Sequence, residues 1–122
     1  MGKKLIIAEK PSVSRDIAKV LNCKSKGEGF IEGQEYIITW AIGHLITLAE
    51  PEEYDAKFKR WNYNHLPIIP NKIQLKPYSK TKRQLSIITN LSKRKDVDSI
   101  ICATDSGREG ELIFRYIYTY IK

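Results

Sequence analysis

Apolar residues fall in two patterns along this chain, short unbroken runs and stripes at helical spacing, and the two alternate. Leu5-Ile6-Ile7-Ala8 closes a run from Lys3 to Ala8 that reads as a strand buried on both faces. Pro11 stops it, and Ser12 is the expected cap of a helix whose stripe is Val13, Ile17, Val20 and Leu21. The glycine-rich stretch Gly27 to Gly33 predicts a turn and a short hairpin strand. Tyr36 to Ile42, β-branched and aromatic, predicts another strand. Ile73-Gln74-Leu75-Lys76 alternates as a half-exposed strand does. Thr81 to Lys95 then reads as a helix with Leu85, Ile88 and Leu91 inward. Ile100 to Ala103 is a second wholly apolar run, expected to be buried on both faces. A glycine turn follows it, then a helix whose stripe is Leu112, Ile113, Tyr116, Ile117, Tyr120 and Ile121. Strands alternating with helices predict an α/β domain, its mostly parallel sheet flanked by helices on both faces.

Two acids stand just past the two apolar runs, Glu9 after the first and Asp105 after the second. Open α/β sheets bind ligands beyond the carboxyl ends of their strands. If the two strands are neighbours, both carboxylates point into one crevice. Asp105, with the acids Glu109 and Glu111 close behind it, invites Mg²⁺, with Mn²⁺ as a substitute, because this hard cation takes one or two carboxylates and keeps several waters. Arg108, Glu109 and Glu111 occupy the first turn of the last helix. Acids in that position also complement the helix dipole, which explains Glu109 and Glu111 equally well when each is taken singly.

The 122-residue chain carries a formal net charge of +7, and its distribution matters more than its size. From Lys57 to Lys95 there are 11 basic residues and no acid. Removing those 11 from the total of 21 leaves 10 basic against 14 acidic residues, a net of −4 elsewhere. A one-sign block of this kind suits a polyanion. Within it Lys57-Phe58-Lys59-Arg60-Trp61-Asn62-Tyr63-Asn64-His65 interleaves cations with aromatic rings, as single-stranded nucleic acid requires. Trp61 is either a stacking platform or a core anchor for its loop. The surrounding segment, Glu50 to Pro70, reads as a long ordered loop with one helical turn. His44 ends the Tyr36 strand, more as a structural residue than a catalyst.

The length predicts one domain over residues 1–122. No apolar stretch approaches the roughly 20 residues that cross a bilayer. Cys23 and Cys102 lack metal-ligand spacing, and Cys102, expected inside a buried strand, reads as an inert hydrophobe. A reduced, cytoplasmic setting is the expectation. The uncapped helical ending Tyr120-Ile121-Lys122 predicts a boundary inside a larger protein.

Ordered motifs along the chain then carry a resemblance: Ile7-Ala8-Glu9-Lys10-Pro11-Ser12, Trp40-Ala41-Ile42-Gly43-His44-Leu45, Leu48-Ala49-Glu50-Pro51, Arg60-Trp61, Leu66-Pro67, and Ala103-Thr104-Asp105 with Arg108-Glu109-Gly110-Glu111. Together they resemble the N-terminal Toprim domain of type IA DNA topoisomerases, of the topoisomerase III branch. The resemblance implies a Rossmann-like fold and Mg²⁺ held by Glu9, Asp105 and Glu109. It also implies Lys10 stabilising charge on the scissile phosphate, with Arg108 as a further phosphate contact. Single-stranded DNA is the implied partner, near Trp61, Lys59, Arg60 and His44, alongside the remaining domains of the same enzyme. Asp105 and Glu109 match the first and last acids of the family's Asp-x-Asp-x-Glu signature, while Gly107 replaces the middle one, so one metal is expected. Glu9 as pure metal ligand, or as proton donor to the leaving 3′ oxygen, both remain open. The attacking tyrosine would belong to a later domain, so this piece alone would not relax supercoils. Two other readings stand beside this one: a non-catalytic nucleic-acid-binding module, and a Toprim nuclease or primase.

Overall fold

A computed structural model describes residues 2–122. In chain order its elements are β1 (Lys3–Ala8), α1 (Pro11–Val20), β2 (Ser25–Gly27), β3 (Phe30–Glu32), β4 (Tyr36–Trp40), β5 (Ile46–Leu48), α2 (Pro51–Tyr54), β6 (Leu75–Pro77), α3 (Lys82–Ser92), β7 (Val97–Ala103) and α4 (Arg108–Ile121). The main sheet runs β2-β3-β4-β1-β7, and β5 pairs with β6 in a separate antiparallel ribbon. β1 lies parallel to β4 on one side and to β7 on the other. The hairpin of β2 and β3 extends the sheet antiparallel beyond β4.

The unbroken apolar run of β1 follows from this central place, since alternate side chains leave opposite faces of a strand. Leu5 and Ile7 join Ile37, Leu85, Ile88, Leu91, Ile113, Phe114 and Ile117 in a core beneath α3 and α4. Ile6 faces the other way, toward Ala18, Cys23, Ile31 and Ile38 under α1. The architecture is three layers, helix–sheet–helix, as the pattern predicts. Gln84, a buried polar residue, ties the layers: its amide donates to the carbonyls of Gly29 and Trp40 and to the Thr39 hydroxyl, at 2.8–3.2 Å.

Several expectations need correction. β7 is not buried on both faces; it is the sheet's edge, with Ile101 and Cys102 exposed. α1 packs chiefly on β4, β1 and β3, and Ile101 on the edge strand is 37% exposed. Cys102 is therefore not an interior residue. α1 starts at Pro11 with Lys10 as its N-cap, so Ser12 caps nothing. Proline there sets the helical φ and needs no hydrogen-bonded N–H. Ser14 and Ala18 are the buried residues of α1, and Val20 is 84% exposed. On α4, Phe114 replaces Leu112 and Tyr120 in the core, while Tyr116 packs at its margin. β4 ends at Trp40, two residues short of its expected end. The Glu50–Pro70 loop holds α2 and two 3-10 turns, Ala56–Lys59 and Tyr63–His65. β6 begins at Leu75, and Ile73 is exposed.

At the end of the sheet where the parallel strands β1, β4 and β7 begin, Arg94 clamps two acids. It donates to both Glu32 oxygens (3.1 and 2.9 Å) and to both Asp96 oxygens (2.9 and 2.7 Å). Lys3 pairs with Glu32 from the other side. The Arg94 guanidinium holds the Glu32 and Asp96 carboxyls below the ordinary carboxylate range, and they push its own pKa upward.

Candidate functional site

Parallel pairing decides what the strand ends can share. Ala8 is opposite Trp40 in β4 and opposite Ala103 in β7, so three strands finish level at one edge. Glu9 follows the first of them directly, and Asp105 comes two residues after β7. The Asp105 backbone N–H donates to Glu9 Oε1 at 3.2 Å, joining positions 96 residues apart. The condition set by the sequence, that the two strands are neighbours, is met, and the contact runs from the Asp105 main chain to the Glu9 carboxylate.

What holds Asp105 there is partly a glycine. Gly110 lies buried in the first turn of α4, and a Cβ on it would sit 2.1 Å from the Asp105 carbonyl oxygen. Only hydrogen fits between helix and turn, so α4 packs directly on the Asp105 backbone. The Arg-Glu-Gly-Glu spacing contained this signal, because a glycine inside a helix commonly marks close approach. Gly107, the N-cap, meets nothing within 4 Å and has ordinary extended backbone, φ −78° and ψ 174°. The missing middle acid is thus not a steric requirement of the turn.

Glu109 lies on the outer side of that turn, its side chain 78% exposed, with His44 Nε2 3.4 Å from its Oε1. His44 comes from the end of β4 through Gly43, whose φ of +63° glycine adopts without strain. The third strand end therefore meets the site through a histidine beside an acid, a pairing not anticipated. Lys10 and Arg108 are exposed, at the N-cap of α1 and the first residue of α4. Among the described residues no cluster of three or more His, Cys, Asp or Glu is arranged to hold a metal ion. The acids at this edge are Glu9, whose carboxylate meets the Asp105 main chain, and Asp105 itself, with Glu109 set toward His44.

The cationic loop is a separate surface. Trp61 is 84% and Tyr63 80% exposed, so Trp61 is not a core anchor. Lys57, Lys59 and Arg60 are exposed beside them. Local caps shape the loop: Asp55 accepts from the Lys57 N–H and Asn62 from the Asn64 N–H, each at 3.0 Å. Part of the acid-free block is neutralised elsewhere. Arg83 pairs with Glu28, Lys76 with Glu53, and Arg94 with Glu32 and Asp96. No helix among the described residues is long and apolar enough to cross a membrane.

The family model for the Toprim domain matches residues 4–122. DNA topoisomerase 3 of Bacillus cereus is 52% identical over 122 residues, all of this chain and 17% of that protein. DNA topoisomerase 3 of Bacillus subtilis is 51% identical over 117 residues, 96% of this chain and 16% of that protein. That of Staphylococcus epidermidis is 56% identical over 115 residues, covering 94% and 16%. The chain thus spans about one sixth of the length of the relatives it matches. A match across nearly every residue, on a mostly parallel sheet with its acids at the strand ends, has one meaning: the chain belongs to the Toprim domain family.

Proposed function

We propose that this chain is the acidic, Mg²⁺-binding half of a type IA topoisomerase site, acting in ATP-independent cleavage, passage and resealing of single DNA strands. The observation that carries the reading is the contact between Asp105 N–H and Glu9 Oε1 across two parallel strand ends. The relatives' name, DNA topoisomerase 3, supports it.

The donor chemistry fits Mg²⁺. Two carboxylates on an open edge leave room for waters and a substrate phosphate, the coordination this ion favours; a closed site for a softer metal would need more ligands. Glu9 and Asp105 would hold the ion, with Glu109 as a third acid one helical turn away. When bound, it would supply positive charge against the phosphoryl oxygens. Lys10, whose side chain has no acidic partner among the described residues, adds a second cation beside Glu9. In the reaction a tyrosine oxygen bonds to phosphorus, the bond to the 3′ oxygen breaks, and the leaving 3′ oxygen takes a proton. Resealing reverses each change. The resemblance to type IA topoisomerases implies that this tyrosine comes from a separate domain; within this chain Tyr116 is packed against the core and Tyr118 lies against Phe114. Lys59, Arg60, Trp61 and His44 would meet the single-stranded segment.

The test is Glu9→Gln in a protein that joins this domain to its tyrosine domain. Lost cleavage and resealing with DNA binding retained supports the proposal. Full activity of the variant overturns it and leaves the non-catalytic binding module. In the isolated chain, Mg²⁺ titration with and without Asp105→Asn reads the ion site directly.

A further inference from the structure

Inside the cationic loop, α2 and the two 3-10 turns close around a cavity of about 320 Å³ lined by Tyr54, Phe58, His65, Ile68, Asn64 and Lys57, among others. That volume falls at the lower end of small-molecule sites, about 300–1,000 Å³. Its inner wall is aromatic: Phe58 and His65 meet edge to face at 5.8 Å, and Tyr54 is pinned by the Gln74 N–H donating to its hydroxyl at 2.8 Å. Its mouth is polar and cationic, with Lys57 and Asn64 exposed, and Ile69 is 79% exposed beside it. The His65 Nδ1 atom is buried and has no hydrogen-bond partner. A gap left by loose packing would have apolar walls throughout and all its polar atoms paired. This one combines flat π-faces, an amide, a cation at the entrance and a ring nitrogen that is short of a partner.

Resting on the reading of the loop as a single-strand surface, we infer that this cavity takes one unstacked nucleobase of the bound strand. Lys57 Nζ lies over the Phe58 ring, 5.1 Å from its centroid, and the entering base displaces it onto the adjacent phosphate. It lies against Phe58 and Tyr54 and presents its polar edge to Asn64 and His65. Trp61 and Tyr63, exposed on the same loop, stack the neighbouring bases. Stacking on aromatic side chains is tolerant of base identity, so the pocket selects for an unpaired base more than for a particular one.

The experiment measures binding of the full chain to short single-stranded oligonucleotides in which one abasic residue is moved along the sequence. At the position that reaches the pocket, loss of the base should weaken binding by on the order of ten-fold, the usual effect of losing one base–aromatic stack. The double variant Asn64→Ala/Ile69→Ala alters only exposed mouth residues and should reduce that positional penalty. A flat abasic profile with strong, salt-sensitive binding overturns the base pocket and leaves the single-strand reading standing. Absence of any binding to the unmodified oligonucleotide overturns both.

Discussion

Gly110→Ala isolates the contact on which the site depends. The new Cβ would stand 2.1 Å from the Asp105 carbonyl oxygen and 2.8 Å from its carbonyl carbon, atoms of the main chain that cannot rotate aside. Reaching ordinary contact, 3.4 Å or more, requires α4 or the Asp105 turn to move by more than 1 Å. Overpacking of this kind costs about 1–3 kcal/mol, and a rigid backbone neighbour places it at the upper end. Alanine returns up to about 1 kcal/mol of helix propensity. The net loss should therefore be about 2 kcal/mol, which lowers the urea midpoint by roughly 1–2 M at slopes typical of small domains. The same movement strains the 3.2 Å bond from Asp105 N–H to Glu9, so Mg²⁺ affinity should fall with stability. Gly107→Ala is the control in the same motif: nothing lies within 4 Å of its Cβ, and its urea midpoint should move by less than half as much. If Gly110→Ala unfolds at the wild-type midpoint and titrates with Mg²⁺ unchanged, packing of α4 on the turn is not what fixes the two acids.

Further outcomes are expected. Gly107→Asp puts a favoured capping residue at the N-cap of α4 and adds a third acid; urea unfolding should show a gain of a few tenths of a kcal/mol, and calorimetry tighter Mg²⁺ binding. Gly107→Asn should match the stability gain and leave the ion affinity alone. The Glu32 and Asp96 carboxyls sit below the ordinary carboxylate range in the fold, chiefly through hydrogen bonds from Arg94, so the unfolded chain binds more protons in acid. Their contribution is complete above the ordinary carboxylate range and is lost as pH falls through the lowered folded values. Denaturation at a series of acidic pH values should show this slope, and Arg94→Met should flatten it. Trp61→Ala removes a side chain that is 84% exposed: stability should change by no more than about 0.5 kcal/mol, while affinity for single-stranded oligonucleotides drops on the order of ten-fold.

The elements were legible wherever a local pattern and the tertiary environment agree. The β1 run and the Leu85, Ile88, Leu91 stripe of α3 read correctly because the packing of β1 and α3 uses the same period as their sequence. α1 misled in part, for the opposite reason. Ile17 and Leu21 of its expected stripe pack against the core, but its fully buried positions are Ser14 and Ala18, small residues that carry little hydrophobic signal, while Val20 points to solvent. Ser14 is fully buried because its hydroxyl donates to the Thr39 carbonyl at 3.3 Å. Gln84 is a similar case: its three acceptors come from two distant segments, and no pattern within α3 announces them.

β7 separates burial from position. An apolar run such as Ile100-Ile101-Cys102-Ala103 states that a strand forms, but the number of its covered faces depends on sheet order and on where the neighbouring helices reach. Here it is an edge, and Cys102 is exposed although Ile7, opposite it in β1, is wholly buried. The approach of Asp105 to Glu9 survives that error because it depends on other quantities. Glu9 and Asp105 meet if β1 and β7 are adjacent, parallel and level at their carboxyl ends, and those conditions need no cover on the outer strand. Each acid is placed by its distance past a strand's last apolar residue, one position for Glu9 and two for Asp105, which can be counted in the chain. The contact of His44 with Glu109 was out of reach for the converse reason. Its approach to Glu109 depends on a left-handed glycine and on the angle at which α4 leaves the sheet, neither of which leaves a periodic trace.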